Sequence, residues 1–158
     1  MKRNFTILLF TFLILEGFAQ GFVVDSFISN ITISKNGTAT VNEKIYVDFS
    51  ESKRGIIRYI PYKFKNEGST YKTDISGLQC NNNEFKVSSS NGNKVIKIGN
   101  KHKYISGKQY YDISYEVEGP FITSDSYQEF YWNITGNRWD ATINNAKFNI
   151  YLPDDVKI

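Results

Sequence analysis

Apolar and polar residues alternate almost strictly between residues 39 and 49. The apolar positions are Ala39, Val41, Ile45, Val47 and Phe49, and the polar positions are Thr40, Asn42, Lys44, Tyr46 and Asp48. Because successive side chains of a strand point to opposite faces of a sheet, this period of two predicts a strand with one buried and one solvated face. The exception is Glu43, which falls on the apolar side.

An unpaired carboxylate on a buried face costs free energy, so Glu43 needs a partner or a β-bulge. Arg54 and Arg58 are the nearest arginines after the strand and are the candidate partners of Glu43. We therefore predict a structural ion pair for Glu43 and favour it over a role as a catalytic acid.

Other segments are also typical of strands. Phe27, Ile31 and Ile33 mark a first strand, Asn36-Gly37 predicts a two-residue hairpin turn, and further strands are predicted at 56–60, 70–78, 84–87, 94–98, 110–117, 129–134 and 146–152. About nine short strands with frequent turn residues predict an all-β fold, an antiparallel two-sheet β-sandwich of the immunoglobulin-like kind. A closed barrel is the alternative.

The amino terminus predicts export. Lys2 and Arg3 precede an apolar stretch at 5–15, and small residues follow at Gly17 and Ala19, which is the pattern of a cleavable signal peptide at 1–19. The stretch is well short of the ~20 residues that a spanning helix needs. The remaining residues 20–158 have the size of a single domain.

Composition excludes several classes of protein. The formal net charge is +3 and the basic residues form no extended stripe, which argues against a nucleic-acid partner. Cys80 is the only cysteine and His102 the only histidine. An intramolecular disulfide is therefore impossible, and a closed zinc site or a histidine-based triad is improbable. We predict no cofactor, no metal and no enzymatic activity; a glycosidase-like pair such as Glu129 with Asp140 is a remote alternative.

Two groups of residues are candidates for a binding surface. Arg54 and Arg58 lie four residues apart, which on a strand places both guanidinium groups on one face, where they could clamp a carboxylate or phosphate. The alternative is pairing with Glu43 or Glu51. The second group is Trp132, Asn133, Trp139 and Asp140, since indoles flanked by polar side chains can bind sugars. The alternative there is that Trp132 belongs to the core and Trp139 covers an end of the sandwich.

Four blocks in this order carry a resemblance: RGIIRYIP at 54–61, IKIGN at 96–100, YDISY at 111–115 and EFYWNITG at 129–136, with Trp139 shortly after. Together they resemble the predicted bacterial membrane proteins grouped as domain of unknown function 2207. The resemblance implies an exported amino-terminal domain that is followed by transmembrane helices beyond this chain. It also implies a place on the outer side of the cytoplasmic membrane, whereas a complete chain of this length would be soluble in the periplasm.

These observations predict a non-enzymatic extracytoplasmic interaction or sensing domain of a bacterial membrane protein. Its partner would be a protein or an envelope glycan. The alternative is a carbohydrate-binding module for cell-envelope glycans, which depends on the aromatic group around Trp139.

Overall fold

The computed structural model describes residues 21–66, 68–81 and 83–154, so the predicted signal peptide at 1–19 lies outside the described residues. This part of the chain folds entirely into strands and loops. Its strands are β1 (Val23–Ile33), β2 (Ala39–Lys53), β3 (Ile56–Pro61), β4 (Lys63–Asn66), β5 (Ser69–Lys72), β6 (Asp74–Asn81), β7 (Phe85–Ser90), β8 (Asn93–Ile98), β9 (Ile105–Glu118), β10 (Phe121–Thr123), β11 (Gln128–Phe130) and β12 (Ala146–Tyr151). Among the described residues, no helix is long and apolar enough to cross a membrane. The all-β prediction is confirmed.

The larger sheet has five strands in the order β12-β1-β2-β9-β6. Its centre is the long antiparallel pair of β2 and β9, in which Val41 lies opposite Tyr115 and Ile45 opposite Tyr111. All four side chains are buried, as the alternating pattern predicts. The sheet is not purely antiparallel, however, because β12 runs parallel to β1. The predicted antiparallel pairing thus holds for every strand pair of this sheet except β1 with β12.

A smaller sheet packs against the buried face of the larger one. It has the order β3-β8-β7, and two hairpins, β4–β5 and β10–β11, complete the described architecture. Ile56, Ile60, Ile96 and Ile98 of the smaller sheet belong to the same hydrophobic core as the inward residues of β1, β2 and β9. The arrangement is sandwich-like, and the sheets do not close into a barrel.

The first hairpin differs in detail from the prediction. Five residues, 34–38, connect β1 to β2 instead of a two-residue turn. The amide of Gly37 donates to the carbonyl of Ser34 at 3.0 Å, and the amide of Ser34 donates to the carbonyl of Thr38 at 2.9 Å. Gly37 adopts φ of +83°, which glycine tolerates better than other residues. The turn lies at the predicted position but is longer.

Two predicted strands are also shorter or divided. The 70–78 segment divides at Thr73, whose amide donates to the carbonyl of Tyr62 at 2.9 Å instead of continuing the ladder. The 129–134 segment is a strand only as far as Phe130. Beyond it, the carbonyls of Ile134 and Thr135 bond to the side chain of Arg58, so this backbone is not available for a sheet.

Candidate functional site

A buried polar network joins the two sheets. The Arg58 guanidinium on β3 binds the Glu43 carboxylate on β2 in a two-pronged arrangement, with Nε to Oε2 at 2.8 Å and Nη2 to Oε1 at 2.7 Å. The Tyr115 hydroxyl on β9 donates to Glu43 Oε1 at 2.6 Å. Glu43 is fully buried and Arg58 is 1% exposed. Of the two arginines predicted as partners of Glu43, it is Arg58 that forms the ion pair.

The same guanidinium also holds a loop. Arg58 Nη1 donates to the carbonyls of Tyr59 at 2.6 Å and Thr135 at 2.7 Å, and Nη2 donates to the carbonyl of Ile134 at 2.8 Å. Gly136 follows with φ of +78°, and a Cβ atom there would lie 2.5 Å from Arg58 Nη1. Glycine is thus required where the loop passes over the guanidinium.

Burial and charge act in opposite directions on the pKa of Arg58. Loss of solvent lowers this pKa, but the charge of Glu43 and the hydrogen bonds to it outweigh burial, so the pKa is raised. Burial, and then the Glu43 charge, raise the pKa of Tyr115 well above its ordinary value of 10.0. Arg58 therefore remains a cation, and Tyr115 remains a neutral donor to the carboxylate. The network is a structural clamp.

Arg54 and Arg58 do not form one clamp for a ligand, and for Arg58 the structure shows the alternative, pairing with Glu43. Arg58 is enclosed by protein and cannot contact a partner in this fold. Arg54 precedes β3, and Gly55 interrupts the backbone with φ of +130°, so the two side chains do not share the face of a strand. Arg54 is exposed, and its guanidinium lies 4.6 Å from the ring centre of Tyr104.

Both tryptophans are partly buried against the core. Trp139 packs edge-on against Phe27 at a ring distance of 6.2 Å, and its Nε1 donates to the carbonyl of Thr135 at 2.8 Å. Trp132 packs near Tyr115, and its Nε1 is buried without a hydrogen bond of normal geometry among the described residues. These contacts give both indoles a structural role.

Asn133 and Asp140, the two polar residues of this group, make different contacts. Asn133 is exposed, and its Oδ1 accepts from the amide of Gly136 at 2.9 Å, which stabilises the loop. Asp140 is exposed and lines a pocket of about 420 Å³ together with Trp139, Arg138 and Tyr59. Asp140 is the single carboxylate among the residues that line this pocket.

A larger cleft adjoins this pocket at one end of the smaller sheet. Its volume is about 770 Å³, within the range of sites for small ligands. It is formed by the beginning of β3, the end of β8, the beginning of β7 and the loop 99–102. We call it the cationic cleft because four cationic side chains line it, Arg54, Lys86, Lys97 and Lys101, against one carboxylate, Glu84.

The floor of the cationic cleft is set by two glycines whose backbones nearly touch. A Cβ atom on Gly55 would lie 1.9 Å from the carbonyl oxygen of Ile98, and one on Gly99 would lie 2.0 Å from the carbonyl oxygen of Arg54. Both glycines have φ of +130°. The amide of Gly99 also donates to the carbonyl of Glu84 at 2.8 Å, so all three strands are tied together here.

Lys86, Lys97 and the two glycines were missed as site residues at the level of sequence. A signal for the lysines was present in the Asn91-Gly92 turn, since a two-residue turn fixes the register of a hairpin. Counting back from the pair Ser90 and Asn93 places Lys86 directly opposite Lys97, as the structure has them. Their proximity to Arg54 and Lys101 depends on the tertiary fold and has no such signal.

Comparison with known proteins identifies the family of this chain. Residues 23–158 match the model of the family described as predicted membrane protein (DUF2207) N-terminal domain. The chain belongs to this family. A curated relative is an uncharacterized protein, YciQ, of Escherichia coli (strain K12), which is 30% identical over 56 residues. That match covers 35% of this chain and 9% of the relative, so the chain spans a small part of the relative's length.

Solved structures with partial likeness to this chain include a zinc metallopeptidase and a leukotriene A4 hydrolase. An M1 zinc metallopeptidase from Deinococcus radiodurans matches 63% of this chain and 21% of its own, with a TM-score of 0.41 and 12% identity. Leukotriene A4 hydrolase from Saccharomyces cerevisiae matches 68% of this chain and 16% of its own, with a TM-score of 0.42 and 11% identity. Likeness at this level carries no argument about activity.

Proposed function

We propose that this chain is a non-enzymatic interaction domain on the extracytoplasmic side of a bacterial membrane protein, and that the cationic cleft is its binding surface. Membership of a family of predicted membrane proteins supports the membrane association. The basic and apolar amino terminus supports export. The observation that carries the proposal is the cleft itself, an open site of about 770 Å³ on a strand framework held by buried contacts.

The distribution of charged groups supports a binding role over a catalytic one. In the described part of the chain, the buried charged groups are Glu43 and Arg58, and they satisfy each other. Each of the two pockets is lined by one carboxylate, so neither presents the carboxylate pair that glycoside hydrolysis uses. Glu129 lines neither pocket.

The burial of native Cys80 makes a sharp test of topology feasible. Cys80 is 8% exposed, and burial followed by the nearby charge of Asp112 raises the pKa of its thiol to about 11, so it should react slowly with maleimides. A single cysteine introduced at Lys147, an exposed position on β12, would report which side of the membrane the domain occupies. The test uses the full-length parent protein in intact cells and a maleimide that does not cross the cytoplasmic membrane.

We expect labelling of the Lys147→Cys variant in intact cells and none of the unsubstituted protein. Labelling only after lysis would refute the extracytoplasmic location. A second variant, Ile57→Cys, places a thiol in the cleft, where Ile57 is 42% exposed. For each variant, the labelling rate in cells is divided by the rate for the purified protein. If a partner fills the cleft in cells, this ratio should be lower for Ile57→Cys than for Lys147→Cys. Equal ratios at the two positions would argue against the cleft as the binding surface.

A glycan-binding role remains the competing proposal, and Trp139 is its best remaining candidate because it lines the smaller pocket beside Asp140. Titration of the purified protein with peptidoglycan fragments, followed by tryptophan fluorescence, tests it. A saturable change that is lost in Trp139→Phe would favour the glycan over the cleft partner.

A further inference from the structure

We propose that the cationic cleft binds the phosphate group of an amphiphilic ligand, with the apolar part of the ligand on the exposed side chains beside the lysines. This inference rests on the proposed function and names the chemistry of its ligand. The ligand class covers phospholipids of a bilayer and soluble phosphorylated amphiphiles, since both present a phosphate ester attached to an apolar body.

The first observation is a pair of lysines that repel each other. Lys86 on β7 and Lys97 on β8 are direct cross-strand partners, and both are exposed. Directly opposed side chains have Cβ atoms about 4.5–5.5 Å apart, and like charges there destabilise a sheet. Neither lysine has an ion-pair partner in the ranges that the structure describes. An anion bound between the two ammonium groups would convert this repulsion into attraction.

The second observation is that two more cations approach the same site from other segments. Arg54 lies at the edge of the cleft with its guanidinium against the Tyr104 ring, and Lys101 belongs to the loop that follows Gly99. The Glu84 carboxylate offsets one of the four positive charges at most; its Oε1 accepts from the side-chain amide of Asn100 at 2.7 Å, and it forms no ion pair among the described residues.

A group with a large negative charge and several acceptor oxygens suits such a site. Lysines bind phosphate as point charges, and arginine adds directional donors. A single carboxylate has two oxygens in one plane, whereas the oxygens of a phosphate ester point in several directions and can meet cations from different segments. The number and spread of the cations therefore favour phosphate.

The third observation is apolar surface directly beside the cations. Ile57 lies opposite Lys97 on β3, lines the cleft and is 42% exposed. Phe85, which precedes Lys86 and belongs to the other face of β7, also lines the cleft and is 36% exposed. Inorganic phosphate would leave these side chains in water, whereas the apolar part of an amphiphile would cover them. The ligand should therefore combine a phosphate group with an apolar part.

The experiment compares three probes on the purified protein by titration calorimetry and vesicle co-sedimentation. The probes are inorganic phosphate, monomeric dihexanoyl phosphatidic acid, and phosphatidylcholine vesicles with or without phosphatidylglycerol. We expect the short-chain lipid or the anionic vesicles to bind more tightly than inorganic phosphate, and added salt to weaken binding. Binding of the monomeric lipid alone would indicate a soluble amphiphile, and binding of anionic vesicles would indicate the bilayer surface.

The decisive variant is Lys97→Glu, because it separates binding from stability. It places opposite charges across β7 and β8, so the thermal midpoint should stay equal or rise. Loss of a charge-assisted contact should weaken ligand binding by about tenfold or more. The control is Lys147→Glu, which makes the same change in net charge on the exposed strand β12 and should bind as the unsubstituted protein does.

Absence of binding to every anionic probe would overturn the inference. An equal loss of binding affinity in Lys97→Glu and Lys147→Glu would also overturn it, because that result indicates a response to net charge alone. Equal binding to vesicles with and without phosphatidylglycerol, unaffected by Lys97→Glu, would also overturn it. The cysteine-labelling test is independent of these results. Correct labelling without phosphate binding would leave the proposed function standing and reject this ligand, whereas labelling only after lysis rejects the proposed function itself.

Discussion

Replacing Arg58 with methionine removes the guanidinium but keeps a long, flexible side chain at the same place. The structure then leaves the Glu43 carboxylate buried with the Tyr115 hydroxyl as its remaining donor. Breaking a buried ion pair from one side costs about 3–5 kcal/mol. A domain of this kind has about 5–15 kcal/mol of total stability, so we expect Arg58→Met to be severely destabilised.

The loop adds to this cost. The carbonyls of Tyr59 and Ile134 lose their cationic donors in Arg58→Met, while the carbonyl of Thr135 keeps its hydrogen bond from Trp139 Nε1. Each buried group left without a partner costs about 1–3 kcal/mol, less where water can enter. The loop that carries Gly136 should therefore exchange its amide hydrogens faster than the strands do in the variant.

The double variant Glu43→Met with Arg58→Met distinguishes this account from simple loss of packing. It leaves the Tyr115 hydroxyl and the two carbonyls without partners, at about 1–3 kcal/mol each, but it leaves no buried charge. Each single variant also carries an unpaired buried charge that costs about 3–5 kcal/mol, so the double variant should be destabilised by much less than the sum of the two single variants. Urea denaturation of the four proteins measures the coupling, and additivity within about 0.5 kcal/mol would refute the reasoning.

Three further predictions concern positions around this frame. Gly136→Ala should destabilise the protein more than Gly107→Ala. Both glycines have positive φ, which costs about 1–2 kcal/mol for alanine. Only at Gly136 would the added Cβ atom also lie 2.5 Å from Arg58 Nη1. Equal urea midpoints would contradict this. Tyr115→Phe should cost about 1.5–3 kcal/mol through the lost hydrogen bond to the Glu43 carboxylate, and a change below 0.5 kcal/mol in the same assay would contradict it. The pKa of Cys80 is raised from 9.0 to about 11, so the folded state holds this proton longer than the unfolded state does. Its stabilising effect is complete below pH 9 and is lost as the pH rises through 11. Between pH 9 and 11, the free energy of unfolding should therefore fall less steeply in Cys80→Ala than in the unsubstituted protein. Parallel curves of this free energy against pH would disprove the prediction.

Local patterns predicted much of the fold. The alternation in β2 and β9 identified both strands and the face that each one buries, because that period is a property of a few consecutive residues. The same pattern marked Glu43 as a charge on the buried face, and its burial at 0% exposure agrees with that expectation. A local pattern could not show whether Arg54 or Arg58 pairs with Glu43, because the answer depends on how the two sheets pack.

The wrong predictions share a cause. Spacing placed Arg54 and Arg58 on one face because it assumed a continuous strand, and the conformation of Gly55, whose backbone packs against Ile98, interrupts that strand. The expected strand at 129–134 ends at Phe130, and the carbonyl of Ile134 at its far end accepts from Arg58 instead of joining a sheet. In both cases a contact between distant segments overrode the local preference.

The sequence by itself determined that this chain makes an all-β domain of a predicted membrane protein family and which residues of β2 and β9 face its core. Only the tertiary structure decided that Arg58 is an internal clamp, that Gly55 and Gly99 meet, and that Arg54, Lys86, Lys97 and Lys101 line one cleft. The physical reason is that hydrophobic periodicity acts between neighbours in the chain. Ion pairs and clefts instead join residues that are far apart in sequence, and they exist only after the sheets have packed.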